Sequence, residues 1–163
     1  MPSPELTAAA TAIGVRLAER GESVAVAESS AGGLISAALL SVGGASAYYR
    51  GGMVIYTLDG ARAMLAGATD LDPGRRSASE PFARYLAAAA AGKLGADWGV
   101  GETGSTGPSG NPYGDPAGHA WVAVAGPGGV TRAEHQLTGS ADRTANMQAF
   151  ALAALRQLAA ALG

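Results

Sequence analysis

The stretch AVAESSAGGLISAALL, residues 25–40, places the polar cluster Glu28-Ser29-Ser30 between two apolar runs. The first run belongs to SVAVAES, which is predicted to form a short strand. The second belongs to GGLISAALLSVGG, predicted to form a helix closed by Gly43-Gly44. A strand that leads through glycines into a helix is the building unit of α/β folds. The cluster is therefore expected at the carboxyl end of a strand, where open α/β sheets bind ligands.

Strand and helix patterns continue on both sides of this unit. Upstream, ELTAAATAIGVRLAERG has the spacing of an amphipathic helix that stops at Gly21. Downstream, Ser79-Glu80-Pro81 provides a cap and a first-turn proline for a long helix that runs through Lys93. The other predicted elements are the strands GGMVIYT (51–57), ADWGVGET (96–103), GHAWVAVAG (118–126) and GVTRAEHQL (129–137), the short helix DGARAMLAG (59–67) and a final helix from Ser140 to Leu162.

The order of these elements predicts the fold class. The early alternation of strands and helices indicates parallel crossovers, whereas the glycine-rich link at 126–129 indicates an antiparallel hairpin. The segments 69–79 and 104–118 are rich in polar residues, Gly and Pro, and are predicted to be irregular connections. With 163 residues, 48% of them hydrophobic, the chain is expected to form a single domain over 1–163. The predicted fold is a three-layer α/β/α sandwich with a mixed, mostly parallel central sheet.

The composition excludes several classes of function. The chain has no cysteine, so disulfides, thiolate chemistry and cysteine zinc sites are absent. Its net charge is -2, and its ten arginines and one lysine are scattered, whereas nucleic-acid binding needs clustered positive charge. The apolar run LAAAAAG (86–92) is too short to cross a membrane, and the N-terminus lacks an export pattern. We therefore expect a cytoplasmic protein that binds neither nucleic acid nor membrane.

Two loops have the composition of a ligand site, ESSAGG (28–33) and GETGSTGPSGNPYG (101–114). Their glycines let backbone N–H groups approach a ligand, and the amides at a helix N-terminus favour an anion such as a phosphate or an oxyanion. Neither loop contains the lysine of a P-loop or the glycine spacing of a dinucleotide fingerprint. The two loops therefore predict a small-molecule site with an anionic ligand.

Ser29 is the candidate nucleophile because it lies just past the strand and before a helix that begins near Gly32. The competing interpretation is that Ser29 or Ser30 only caps that helix, which is a common use of serine. Local sequence favours capping over catalysis. Glu28 either contributes charge to an active site or pairs with an arginine, and local sequence leaves both interpretations open.

The motif A-E-S-S-A-G-G resembles the A-E-S-C-T-G-G motif of the C-terminal domain of the competence/damage-inducible CinA proteins, a domain also found as a stand-alone nicotinamide-nucleotide amidohydrolase. The segment G-A-S-A-Y-Y-R-G-G-M-V-I-Y is similar to the family's G-S-S-x-x-F-x-x-G-x-V-x-Y, and Ser79-Glu80-Pro81 matches its S-E-P. GSTGP (104–108) resembles G-I-A-G-P, and residues 116–122 resemble P-V-G-T-V-W-I. Each motif is weak alone, but the ordered set covers nearly the whole chain.

The resemblance implies an α/β/α domain that hydrolyses the carboxamide of nicotinamide mononucleotide to nicotinic acid mononucleotide and ammonia. It implies no metal and no cofactor, a homo-oligomer, and a serine nucleophile activated by a lysine, with a tyrosine hydroxyl assisting. The serine corresponds to Ser29 and the tyrosine to Tyr56. The candidate ligand-binding residues come from the two loops and one arginine: Glu28, Ser30, Gly32, Gly33, Arg62, Thr103, Gly104, Ser105, Thr106 and Gly107.

The lysine of the family has no counterpart here. The family's Y-S-N-E-A-K corresponds to YTLDGA, so Ala61 stands at the lysine position. The neighbouring Arg62 can bind phosphate but cannot accept a proton at neutral pH. The single lysine, Lys93, is predicted near a helix end, where it is expected to be a solvated charge. His119 is a candidate base because imidazole titrates near neutrality, although a structural histidine is the expected explanation.

These observations leave two functions in balance. One is a nicotinamide mononucleotide deamidase whose base has been replaced, with Glu28 and Asp59 as further carboxylate candidates. The other is a catalytically inactive relative that still binds a nucleotide or phosphorylated ligand, or acts as an interaction protein. A structural or oligomerisation module is a third interpretation, which no surface in the sequence specifically supports.

Overall fold

Five strands form a mixed sheet, and the computed structural model describes residues 1–66 and 76–163 of the chain. The strands are β1 (Val24–Glu28), β2 (Tyr49–Val54), β3 (Trp98–Ser105), β4 (His119–Ala125) and β5 (Thr131–Leu137). Their order in the sheet is β2-β1-β3-β4-β5. β1 is parallel to both β2 and β3, whereas β4 is antiparallel to β3 and β5. Four of the five strands therefore run in one direction, which agrees with the mixed, mostly parallel sheet predicted from the sequence.

Helices cover both faces of the sheet. They are α1 (Pro4–Arg20), α2 (Leu34–Leu40), α3 (Leu58–Met64), α4 (Glu80–Leu94) and α5 (Arg143–Leu162), with short 3-10 turns at Ala45–Ala47 and Pro127–Gly129. Because side chains alternate along a strand, Val24 and Val26 of β1 pack with α1, α2 and α5, whereas Ala25 and Ala27 pack with α3 and α4. The predicted three-layer α/β/α fold is confirmed.

Local signals in the sequence set the ends of the longest helices. Ser3 caps α1, which ends at Gly21, and Ser79 caps α4 by accepting a hydrogen bond from the amide of Phe82. Pro81 lies in the first turn of α4, where its missing N–H is not needed. These boundaries confirm the predicted helices at both places.

Several boundaries differ from the prediction. α2 ends at Leu40, before Gly43-Gly44, and β2 begins at Tyr49. β3 continues through Gly104 and Ser105, although the sequence predicts an irregular connection there, because these residues pair with β4. The predicted connection at 69–79 lies largely outside the described residues.

The described part of the chain contains no helix with the length and apolar character needed to cross a bilayer.

Candidate active site at the carboxyl ends of the parallel strands

The carboxyl ends of β1, β2 and β3 meet at one edge of the sheet, because the three strands are parallel. Glu28 at the end of β1 lies in register with Val54 of β2 on one side and with Glu102 of β3 on the other. Both segments that the sequence predicts as ligand loops, 28–33 and 101–114, pass through this edge. The fold therefore brings the two predicted loops together.

Glu28 caps α2 from inside the protein. Its Oε2 accepts hydrogen bonds from the amides of Gly33 (3.0 Å) and Ile35 (3.1 Å), and its Oε1 accepts from the amide (3.0 Å) and hydroxyl (2.7 Å) of Ser36. The N-cap residue is Gly33, whose φ of 96° suits glycine, and it makes no side-chain cap. A carboxylate at this position satisfies the free amides of the helix and is favoured by its dipole.

This arrangement corrects two predictions. Neither Ser29 nor Ser30 caps α2, because the carboxylate of Glu28 occupies the amides that a serine would have taken. Glu28 itself is fully buried and lies outside the pocket lining, and within residues 1–66 and 76–163 it pairs with no arginine. The amides of Ala31, Gly32 and Gly33 donate to groups inside the protein, which removes them as ligands for an anion.

Glu102 holds the loop that precedes α2. Its Oε2 accepts hydrogen bonds from the amides of Ser29 (3.0 Å) and Ala31 (2.8 Å), and its Oε1 accepts a hydrogen bond from the Ser30 hydroxyl. The side chain is fully buried. Burial is the largest influence and raises the pKa of Glu102 to about 7, and the neighbouring charge of Glu28 acts in the same direction. The hydrogen bonds from Ser30, Ala31 and Ser29 oppose that shift because they stabilise the carboxylate.

A pocket of about 250 Å³ opens beside this carboxylate. Its polar lining includes hydroxyls, an amide side chain and a guanidinium, a combination typical of sites that orient a small polar ligand. The lining residues are Ser30, Tyr56, Gly104, Ser105, Thr106, Gly107, Ser109, Gly110, Asn111 and Arg143. Six of these were selected from the sequence as candidate site residues, and the structure brings them together.

Arg143 links the two sides of the pocket rim. Its Nη1 donates to the carbonyl oxygen of Gly107 (2.8 Å) and its Nη2 donates to the hydroxyl of Tyr56 (2.9 Å). Gly107 has a φ of 101°, and a Cβ there would lie 2.9 Å from the carbonyl oxygen of Ala141, so the loop needs glycine at this point. The guanidinium has five N–H donors, and these two contacts leave others for a ligand.

The remaining candidates lie outside the pocket lining. Arg62 is exposed and donates to Asp59 Oδ1 (3.2 Å), while Thr103 is buried and accepts from the amide of Ala78 (3.0 Å). Ser29 is half-buried, and its own amide donates to Glu102 Oε2. Glu28, Gly32 and Gly33 belong to the cap and turn described above.

The ring nitrogens of His119 contact residues other than Ser29 and Ser30. Its Nε2 lies 2.8 Å from the carbonyl oxygen of Ala78, and its Nδ1 lies 2.8 Å from His135 Nε2. Because a carbonyl oxygen only accepts, Nε2 carries the proton in this arrangement and Nδ1 accepts from His135. These contacts fit the structural interpretation of His119. Lys93, in the last turn of α4, is equally remote, since its Nζ donates to the carbonyl oxygen of Ala66 (2.7 Å).

Sequence reasoning missed Glu102 and Arg143. Both left a signal: AVAES and GVGET each end an otherwise uncharged strand with a glutamate, and Arg143 stands in the first turn of α5, where the helix dipole disfavours a cation. A charge in such a place points to a specific partner elsewhere in the fold. In the described part of the chain, the acidic residues and histidines form no group of three that could hold a metal ion.

The fold and the pocket define an α/β/α domain with a polar pocket at the carboxyl ends of its parallel strands. Comparison with known proteins gives its family: the sequence model of the CinA C-terminal domain matches residues 6–162, and the chain belongs to that family.

Relatives and solved structures agree with this assignment. A CinA-like protein of Anaeromyxobacter dehalogenans is 41% identical over 144 residues, which cover 88% of this chain and 35% of that protein. A CinA-like protein of Prochlorococcus marinus is 37% identical, over 87% of this chain and 33% of its own length. The chain thus spans about a third of the curated relatives it matches. The crystal structure of the competence/damage inducible protein CihA from Agrobacterium tumefaciens superposes with a TM-score of 0.90 and 30% identity, covering 99% of this chain and 98% of that one.

Proposed function

We propose that this protein is a deamidase that hydrolyses the carboxamide of nicotinamide mononucleotide to nicotinic acid mononucleotide and ammonia. The resemblance to the amidohydrolase form of the family suggests the reaction. The observation that carries it here is the pocket itself, in which a serine hydroxyl bound to a buried carboxylate faces a glycine-rich loop and an arginine. Amide hydrolysis by serine needs a hydroxyl, an acceptor for its proton and donors for the oxyanion.

The positive charge of Arg143 at the rim of the pocket suits the phosphate group of nicotinamide mononucleotide. Arg143 is exposed at the pocket, and a guanidinium binds phosphate through paired N–H groups. Tyr56 is 65% exposed and holds Arg143 through its hydroxyl, so both side chains can contact the part of a nucleotide that extends from the pocket. We assign Arg143 to the phosphate in place of Arg62, which pairs with Asp59.

The test is to incubate purified protein with nicotinamide mononucleotide and to measure ammonia and nicotinic acid mononucleotide separately. We expect both products in equal amounts. Arg143→Ala should raise KM about tenfold with a smaller change in kcat, because it removes a binding contact that is not part of the bond-breaking step. Arg156→Ala is the matched control, since this exposed arginine pairs with Glu5 instead of lining the pocket. Absence of both products from the wild-type reaction would refute the proposal.

A second candidate, a catalytically inactive nucleotide-binding protein, is favoured by one observation. Ala61, at the lysine position of the family, is buried in the core with Leu65 and Phe82, so that position supplies no base. Such a protein would be stabilised thermally by nicotinamide mononucleotide without releasing ammonia, since a ligand of the native state raises its stability. In that case Ala61→Lys should create measurable ammonia release. Release by the wild-type protein would exclude this candidate.

A further inference from the structure

Strand β5 forms one edge of the sheet, and its outer side is open. In the described part of the chain β5 pairs with β4 alone, in one continuous register from Thr131 to Leu137. Five of its seven residues are exposed. An edge strand presents a row of unpaired N–H and C=O groups, which proline or a bulge often interrupts. β5 contains neither, so this edge is available to pair with another strand.

Alternate residues of β5 direct their backbone groups away from β4. The amide of Gly126 donates to the carbonyl oxygen of Val130 (2.8 Å), at the turn that joins the two strands. Hydrogen-bonded pairs alternate along an antiparallel ladder, so from Val130 onward the even-numbered residues of β5 bond to β4. The N–H and C=O groups of Thr131, Ala133 and His135 therefore point to the open edge.

The charged side chains of β5 have opposite signs and share one face of the strand. Arg132 and Glu134 lie opposite Val124 and Val122 of β4, which pack in the core under α5. Within the described residues, Arg132 makes no hydrogen bond or ion pair, and the Glu134 carboxylate accepts from the side-chain amide of Gln136 (2.7 Å). Both charges are therefore available to pair with charges on another molecule.

The pattern of β5 is complementary to a second copy of itself. When two β5 strands lie antiparallel about a twofold axis at Ala133, each Ala133 faces its own copy, and Thr131 faces His135 of the other copy. All of these residues point their N–H and C=O groups outward, so each facing pair can form the two hydrogen bonds of an antiparallel ladder. The same register places Arg132 of each copy directly opposite Glu134 of the other.

The charges select this register among the nearby alternatives. A twofold axis at Arg132 or at Glu134 would place that side chain opposite its own copy, and like charges directly opposite each other are destabilising. An axis at Thr131 or at His135 would place neither charge opposite a charge of the other sign. Only the axis at Ala133 combines paired backbone groups with two opposite-charge pairs.

We propose that the protein forms a symmetric dimer in which the β5 edges of two copies pair about Ala133 and join the two sheets into one. Such an interface is closed, because the same strand serves both copies. None of the residues that line the pocket belongs to β5, so each copy keeps its own pocket. The dimer and the proposed deamidation are therefore independent of each other.

The first experiment measures the mass of the protein in solution by sedimentation equilibrium over a range of concentrations. We expect a dimer for the wild type. Arg132→Glu places acidic side chains opposite each other and Glu134→Arg places basic ones, so each change should raise the dissociation constant at least about tenfold. A wild type that remains monomeric at about 100 μM would overturn the proposal, as would either variant with the wild-type constant.

Arg50→Glu is the matched control, since Arg50 is an exposed arginine of β2, the strand at the opposite edge of the sheet. It should leave the dissociation constant unchanged. A dimer that is weakened by Arg50→Glu but not by Arg132→Glu would pair through the β2 edge, and the proposal would be wrong.

The second experiment tests whether the two charges face each other. In a mixture of Arg132→Glu and Glu134→Arg, one chain carries two acidic side chains and the other two basic ones, so both facing pairs again have opposite signs. We expect the two variants to form a heterodimer with a dissociation constant within about threefold of the wild type. A misfolded variant would not be restored by mixing. If the mixture associates no more tightly than either variant alone, the proposed register is overturned.

The third experiment needs no variant. Hydrogen exchange of the wild-type protein is followed at protein concentrations that favour the monomer and the dimer. We expect the amides of Thr131, Ala133 and His135 to exchange more slowly in the dimer, because they then donate to the second copy. Exchange of these amides that does not change on dimer formation would place the interface elsewhere and overturn the proposal.

Discussion

Glu28 and Glu102 lie side by side in the sheet, in register on β1 and β3, and both are fully buried. Glu102 accepts hydrogen bonds from two amides of the loop before α2, Glu28 accepts from three amides at the start of α2, and each also accepts from one serine hydroxyl. They differ in where that hydroxyl lies. Ser36 belongs to the first turns of α2, whereas Ser30 lines the pocket. The two carboxylates thus have similar contacts, but of their two serine donors only Ser30, the donor to Glu102, lines the pocket.

The largest effect should come from the structural member of the pair. Glu28→Gln replaces one carboxylate oxygen by an NH₂ group, which leaves a buried donor of α2 without an acceptor and weakens the other charge-assisted bonds. We expect the free energy of unfolding to fall by about 4 kcal/mol. Urea denaturation at neutral pH measures it. A change below about 1 kcal/mol would show that Glu28 is not the principal cap of α2.

Glu102→Gln should instead change how stability depends on pH. The pKa of Glu102 rises from 4.5 to about 7 on folding, so its contribution to stability is complete below about pH 4.5 and is lost as the pH rises through 7. The shift corresponds to about 3 kcal/mol. Glutamine does not titrate, so the stability of the variant relative to wild type should increase by that amount between pH 4.5 and 8. Parallel stability profiles for the two proteins would contradict the buried, neutralisable carboxylate.

Ser36→Ala should have the smallest effect. It removes one hydroxyl donor from Glu28 and leaves the three amides of α2 in place, so we expect a loss of about 1 kcal/mol in the free energy of unfolding. Thermal unfolding measures this. A loss comparable to that of Glu28→Gln would mean that the hydroxyl, not the amides, carries the interaction.

Most of the fold follows from local patterns in the sequence. The Ser79-Glu80-Pro81 cap, the stop at Gly21 and the alternation along β1 act over a few residues, which is why they predict α4, α1 and the two-sided core. The predicted end of β3 was wrong because Gly104 and Ser105 form strand only by pairing with β4. Glycine and serine do not themselves favour a strand.

The position of the candidate site was predictable from the sequence, but the side-chain contacts within it were not. Parallel strand ends and glycine loops located it, and the family resemblance selected Tyr56 and Gly104 to Gly107. Glu102 and Ser30 are 72 residues apart, so no local pattern shows that they meet. The resemblance also directed attention to Ser29 and to a missing lysine, whereas the structure offers a carboxylate from the neighbouring strand.

The central proposal is that the pocket beside Glu102 hydrolyses nicotinamide mononucleotide and that Glu102 takes up the proton released in that reaction. Its most direct test is the pH dependence of kcat/KM for ammonia release from nicotinamide mononucleotide by wild type and Glu102→Gln, measured from pH 5 to 9 as an experimental range that brackets the pKa of about 7. The account predicts that wild-type kcat/KM rises through about pH 7, because the ionised carboxylate is the base, and that the residual activity of the variant lacks this rise. The same rise in both proteins would contradict it.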